Sequence, residues 1–228
     1  MKTIFIPVKS KSSLNYDLPK NLPKNIAIAY SIQYENQARD IKQKLSKSHN
    51  ITNFIQVLGC SRPLGDSYSL GHLRPLGCLH PSGCSNPLFS KSTQAVLLIG
   101  SGRFHAINLA LQTNLPIYIL EENQITQISE KEIIQLKQKK KSSYVNFLNS
   151  NKIGILISIK PGQQNLEKAI SIKKSIKNKK SYLFISNNIN ISEFENFPDI
   201  QSWVNTACPR IDMNSNKIVN VEEINLNT

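Results

Sequence analysis

Short apolar runs separated by helical patterns organise this chain from end to end. Strand-like runs fall at residues 3–7, 26–30, 54–58, 95–99, 117–120, 154–159, 182–186 and 203–205. Between them Ala38, Ile41 and Leu45 keep helical spacing, as do Ile107 with Ala110 and Leu111, and Leu166 with Ala169 and Ile170. Ser129 and Glu132 form a capping-box pattern ahead of Ile133, Ile134 and Leu136. Strands alternating with helices predict an α/β architecture with parallel sheets. A lysine-rich helical stretch from about residue 130 to 148 separates two sets of strands. The pattern therefore predicts two small doubly wound parallel-sheet domains, at 1–128 and 151–228, joined by a helix over 129–150. In such sheets ligands bind at the carboxyl ends of strands. Cys60, the 100–105 segment, the 160–163 segment and Cys208 all stand just after a predicted strand.

Composition narrows the class. The 228 residues are 39% hydrophobic, as in a folded protein. No apolar run approaches the roughly 20 residues of a membrane-spanning helix. The first residues are too short for the apolar core of a signal peptide and read as a strand, so a cytoplasmic location is expected. Four cysteines in such a chain suit reduced, ligating or buried roles better than disulfides. The net charge is +13, yet only five of the 28 basic residues are Arg. Lysine is a point charge without the bidentate fork that reads bases, so no direct nucleic-acid specificity is expected. The runs at 137–141 and 173–180 read as a solvated lysine face or as a surface for an acidic partner.

Two segments carry chemistry. Trp203-Val204-Asn205-Thr206-Ala207-Cys208-Pro209-Arg210-Ile211 places a cysteine at the end of an apolar run. Gly100-Ser101-Gly102-Arg103-Phe104-His105 is a glycine-flanked loop directly after a strand. A thiolate that binds a metal or cluster, beside a backbone-rich loop that cradles a charged small molecule, accounts for both. The alternatives are a buried apolar role for Cys208, a packing role for His105, and solvated charge for Arg103 and Lys160.

Residues 58–93 break the strand–helix pattern and divide into three units of 12. Gly59, Gly71 and Gly83 align, as do Pro63, Pro75 and Pro87; the central column reads Cys60, His72, Cys84. This is the mark of a tandem duplication. A zinc site from Cys60, His72, Cys78, His80 and Cys84 has suitable ligand types but lacks the close Cys pairs of structural sites. A surface insertion with little closure cost is the second reading. The third makes one cysteine a cluster ligand and the other its copy.

The motifs Val57-Leu58-Gly59-Cys60, Gly100 through Ala106, Ser158-Ile159-Lys160-Pro161-Gly162-Gln163, and Phe197-Pro198-Asp199-Ile200 through Ile211 resemble the diphthamide synthase family, especially its archaeal forms. These are 2-(3-amino-3-carboxypropyl)histidine synthases. The resemblance implies three related α/β domains, each giving one cysteine to a 4Fe-4S cluster whose fourth iron is open to S-adenosylmethionine. The reduced cluster would cleave the cofactor's Cγ–S bond, and the 3-amino-3-carboxypropyl radical would be added to a histidine of elongation factor 2. Carried onto this chain, the resemblance makes Cys208 a cluster ligand, with Cys60 and Cys84 competing for a second place. Cys60 keeps the upstream context and Cys84 the more family-like distance to Gly100. Gly100, Gly102, Arg103, His105, Lys160, Gly162 and Gln163 fall to cofactor binding.

The chain matches only the family's second and third domains. The resemblance therefore implies a transferase subunit that forms a dimer or a complex with a chain carrying the missing first domain. The alternative is a non-catalytic homologue acting as a scaffold.

Overall fold

The computed structural model describes residues 6, 8–11, 22–57, 89–208, 210–211 and 215–224. Its first sheet contains β1 (Asn25–Ser31), β2 (Asn50–Val57), β3 (Ala95–Ile99), β4 (Ile117–Glu121) and β5 (Gln124–Gln127), in the order β2-β1-β3-β4-β5. β1 to β4 are parallel, and β5 folds back antiparallel on β4. Successive strand residues point to opposite faces, so covering both faces demands unbroken apolar runs. The sequence Ala-Val-Leu-Leu-Ile of β3 is buried throughout. On one face Ile26, Ile28, Leu97 and Ile99 pack with Ala38, Ile41 and Leu45 of α1 (Glu35–Leu45). On the other, Ala27, Ala29, Val96 and Leu98 pack with Ala106, Leu109 and Ala110 of α2 (Arg103–Thr113).

The second sheet contains β6 (Lys152–Ser158), β7 (Lys180–Ser186), β8 (Ser202–Asn205) and β9 (Ile218–Asn220), all parallel, in the order β7-β6-β8-β9. One face buries Ile153, Ile155, Ile157 and Val204 against Phe147 of α3 (Glu130–Asn149) and Ala169 and Ile172 of α4 (Leu166–Ser175). The other face holds Leu156, Trp203 and Ile218 against Phe184, Ile191 and Phe194. A 3-10 turn at Ile191–Asn196 supplies the last two. The α3 helix serves both cores: Ile133 and Leu136 reach the first, Tyr144 and Phe147 the second.

The two doubly wound parallel sheets match the architecture expected from the alternating pattern. Three details differ. β2 begins at Asn50, several residues before its apolar run, because the polar Thr52 is accommodated by bonding the Ile26 carbonyl and the Thr93 hydroxyl. β5 and β9 are a four-residue polar strand and a three-residue strand, both too short to register as periodic patterns. The capping box at Ser129 does not form. Ser129 takes the extended N-cap conformation without a side-chain cap bond, and Glu132 instead accepts from Arg103 at 2.5 Å. A charge-assisted bond to guanidinium outcompetes a bond to a neutral N–H. The expected strand at 3–7 lies outside the described residues except for Ile6.

Candidate functional site

Order reverses between β1 and β3 in the first sheet, and between β6 and β8 in the second. Such switch points open a crevice at the carboxyl ends of the two diverging strands. The loops after β3 and β8 are the two segments that stand out in the sequence.

Cys208 ends the loop after β8 and is half-buried. Its backbone is fixed by a buried amide. The Asn205 side chain donates to the Cys208 carbonyl at 2.8 Å and to Asn220 Oδ1 at 2.6 Å. It accepts from the Ala207 N–H at 3.0 Å. Thr206 follows the sheet register, its hydroxyl donating to the Leu156 carbonyl at 2.7 Å. Beyond the cysteine, the Ile211 N–H donates to the Cys208 carbonyl at 3.2 Å.

The facing loop follows β6. The Lys160 N–H donates to Ser158 Oγ at 3.1 Å, and a turn closes from the Gln163 N–H to the Lys160 carbonyl at 3.0 Å. Gly162 sits at φ +79°, where a Cβ would be strained. The Asn165 side chain then crosses the crevice and donates to the Thr206 carbonyl at 2.8 Å, linking this loop to the one bearing Cys208. Lys160 is exposed and Gln163 half-buried.

In the first sheet, Gly100 leaves β3 beside Ser31, the last residue of β1. A Cβ on Gly100 would lie 2.9 Å from Ser31 Oγ. That hydroxyl is buried and without a hydrogen-bond partner among the described residues. Gly102, at φ +89° with open space around its Cα, turns the chain into α2, and its N–H donates to the Glu121 carboxylate at 3.3 Å. The next three residues engage different partners. Arg103 pairs with Glu132 of α3. Phe104 carries the Arg210 guanidinium over its ring, 4.5 Å from the centroid. The His105 ring meets Phe104 edge-on, with centroids 5.4 Å apart. Burial, and then the Arg210 charge, push the His105 imidazole below its ordinary pKa.

The structure thus joins the two segments: Arg210, two residues past Cys208, rests on Phe104 in the first turn of α2. Of the sequence-predicted residues, Gly100, Gly102, Arg103 and His105 line the first-sheet end, and Lys160, Gly162, Gln163 and Cys208 the second-sheet end. Arg103 turns to Glu132 and is tied to α3. Cys60 and Cys84, with His72, Cys78 and His80, lie outside the described residues. Among the described residues no three His, Cys, Asp or Glu side chains converge to hold a metal. Cys208 fits a cluster in donor chemistry: a half-buried thiol on a loop pinned at its backbone suits iron–sulfur ligation. Asn165 and Ser31 went unread in the sequence, and Asn205 and Ser158 stood in the quoted motifs without a role of their own. An Asn at a strand end is a legible turn signal, whereas Ser31 gives none.

Four findings relate the chain to known proteins. Residues 1–222 match the family described as "Putative diphthamide synthesis protein". The 2-(3-amino-3-carboxypropyl)histidine synthase of Pyrococcus horikoshii is 29% identical over 124 residues, which is 53% of this chain and 35% of that protein. The crystal structure of Dph2 from Pyrococcus horikoshii superposes with a TM-score of 0.64 at 23% identity, covering 90% of this chain and 57% of that one. The same protein with a 4Fe-4S cluster superposes with a TM-score of 0.62, over the same shares of both chains. The chain therefore spans little more than half of its structural relative.

Proposed function

We propose, for a chain that belongs to the diphthamide synthesis family across residues 1–222, that it is a cluster-carrying transferase subunit. It would move a 3-amino-3-carboxypropyl group from S-adenosylmethionine to a histidine of elongation factor 2. It would do so together with a partner chain that completes the ligand set of the cluster. The observation that carries this reading is the meeting of the Cys208 loop and the glycine loop through Arg210 on Phe104.

Cys208 would hold the 4Fe-4S cluster, with Cys60 or Cys84 as a second ligand. The cluster, when bound, supplies the one-electron chemistry of the transfer. The chain's own residues bind and orient. Gly102 and Gly162 leave the backbone open for close approach by the carboxylate of S-adenosylmethionine, and Gly100 shapes the loop by making room for the Ser31 hydroxyl. The exposed Lys160 supplies positive charge at the crevice of the second sheet. Gln163 offers amide bonding, and Arg103 contributes through Glu132 by holding α2 to α3. Burial and then the Arg210 charge disfavour the cationic form of His105, whose ring packs edge-on against Phe104 as a wall of the site.

Anaerobic preparation with iron and sulfide tests this reading. The expected outcome is the broad absorbance of an iron–sulfur cluster, strengthened by co-expression with the proposed partner chain and abolished by Cys208→Ala. A preparation that never shows that absorbance, alone or with the partner, overturns it.

A further inference from the structure

Cys208 stands between two attachments of different kinds. Upstream, the Asn205 amide and the Thr206 hydroxyl bind the loop to its own sheet. Downstream, Ile211 packs into the aromatic core beside Trp203 and Phe194. Neither attachment relates Cys208 to the first sheet. Arg210 does. It is exposed on its own element, yet its guanidinium lies 4.5 Å from the Phe104 centroid, well within the roughly 6 Å reach of a cation–π contact.

The platform beneath it is rigid. Phe104 lies in the first turn of α2, whose next turns bury Ala106, Leu109 and Ala110 in the first core. Arg103 on one side bonds Glu132, and His105 on the other packs edge-on against the ring. A planar guanidinium lies flat on such a ring in a way the compact ammonium of lysine does not.

We infer that Arg210 is a positioning residue: seated on Phe104, it holds the Cys208 loop against the first turn of α2 and makes the two loops one unit. This deepens the reading above, since it concerns how the thiol proposed as a ligand is placed. It requires no cluster to be present.

The test uses the full chain with Cys60, Cys78 and Cys84 replaced by Ser, so that alkylation by N-ethylmaleimide reports Cys208 alone. Arg210→Ala and Phe104→Leu each raise the alkylation rate about fivefold, the equivalent of the ~1 kcal/mol of an exposed cation–π contact. The double variant reacts no faster than either single one, because either change removes the same contact. Arg210→Lys gives an intermediate rate, and Phe104→Tyr, which keeps the ring, gives the parent rate. Melting temperatures identify any variant that is not folded, and the conservative pair then carries the test. Unchanged rates, additive increases, or a rise with Phe104→Tyr equal to that with Phe104→Leu overturn the inference. Iron content after anaerobic reconstitution is measured on the unsubstituted chain. If it binds no iron while the alkylation coupling holds, the functional reading fails and the positioning role stands.

Discussion

Gly154 and Trp203 occupy facing positions on neighbouring strands, Gly154 on β6 and Trp203 on β8. A Cβ at 154 would sit 2.4 Å from the indole carbons and 3.1 Å from Phe184. The indole cannot retreat, because Phe194 stacks on it at 4.2 Å and Phe184 meets its edge at 4.7 Å. Gly154→Ala is therefore expected to destabilise the chain by about 1–3 kcal/mol, the usual cost of overpacking a core. Denaturant unfolding measures it, and a cost below ~0.5 kcal/mol contradicts the packing described. His105 sets a second expectation. Its folded-state pKa lies below the ordinary 6.5 because of burial and the Arg210 charge. Between the folded value and 6.5 the unfolded chain binds more protons, so stability there rises with pH. The contribution is complete above about 6.5 and is lost as pH falls through the folded pKa. The melting temperature should drop on acidification from about 6.5 down to the folded pKa. His105→Gln should remove part of the drop, while an identical slope in the variant excludes His105 as its source.

At the scale of elements, the loop after β8 is fixed by side-chain amides more than by its own backbone. Asn205 is 1% exposed and serves three partners on three residues. Asn205→Ala leaves the Asn220 side chain and the Cys208 carbonyl without that donor inside the fold. A typical hydrogen bond contributes about 0.5–1.5 kcal/mol net, and the change removes three. A loss of at least ~2 kcal/mol in chemical denaturation is expected, with faster alkylation of Cys208 in the chain that lacks the other three cysteines. A normal Cys208 rate in a folded Asn205→Ala chain contradicts the pinning role. The end of α3 shows the same economy. Lys179 donates to the Leu148 and Ser150 carbonyls at 2.6 and 2.7 Å and lies over the Phe147 ring. A cation at a helix C-terminus answers both the unpaired carbonyls and the negative end of the dipole.

Across the whole molecule, the two sheets repeat one plan. β2-β1-β3-β4 and β7-β6-β8-β9 are the same order, so the glycine loop after β3 and the Cys208 loop after β8 hold equivalent places in their sheets. Repetition accounts for two crevices; α3 accounts for their being joined, since its first turns pack on one core and its last on the other. Ion pairs reinforce the arrangement, with Arg103 on Glu132 ahead of the joint and Lys140 on Glu223 beyond it. The expected dependence of cluster binding on a partner chain belongs to this scale. No helix among the described residues is long and apolar enough to cross a membrane.

What the sequence by itself determined was local and periodic. Unbroken apolar runs specify strands buried on both faces, as at 95–99, and spaced alanines and leucines specify the helices that cover them. The thiol after an apolar run and the glycine-flanked loop were legible because strand ends in parallel sheets carry ligands. What only tertiary structure decided was partnership. Glu132 could cap its own helix or bind Arg103, and the choice depended on α2 lying beside α3. Arg210 could be solvated charge or a bridge between sheets, and the choice depended on Phe104 reaching it from more than 100 positions earlier in the chain. Ser31 beside Gly100 and Gly154 beneath Trp203 are likewise pairs made by strand register. Periodicity is written in neighbouring residues, while a side chain's partner is set by the energy of the whole packed arrangement, which no local pattern contains.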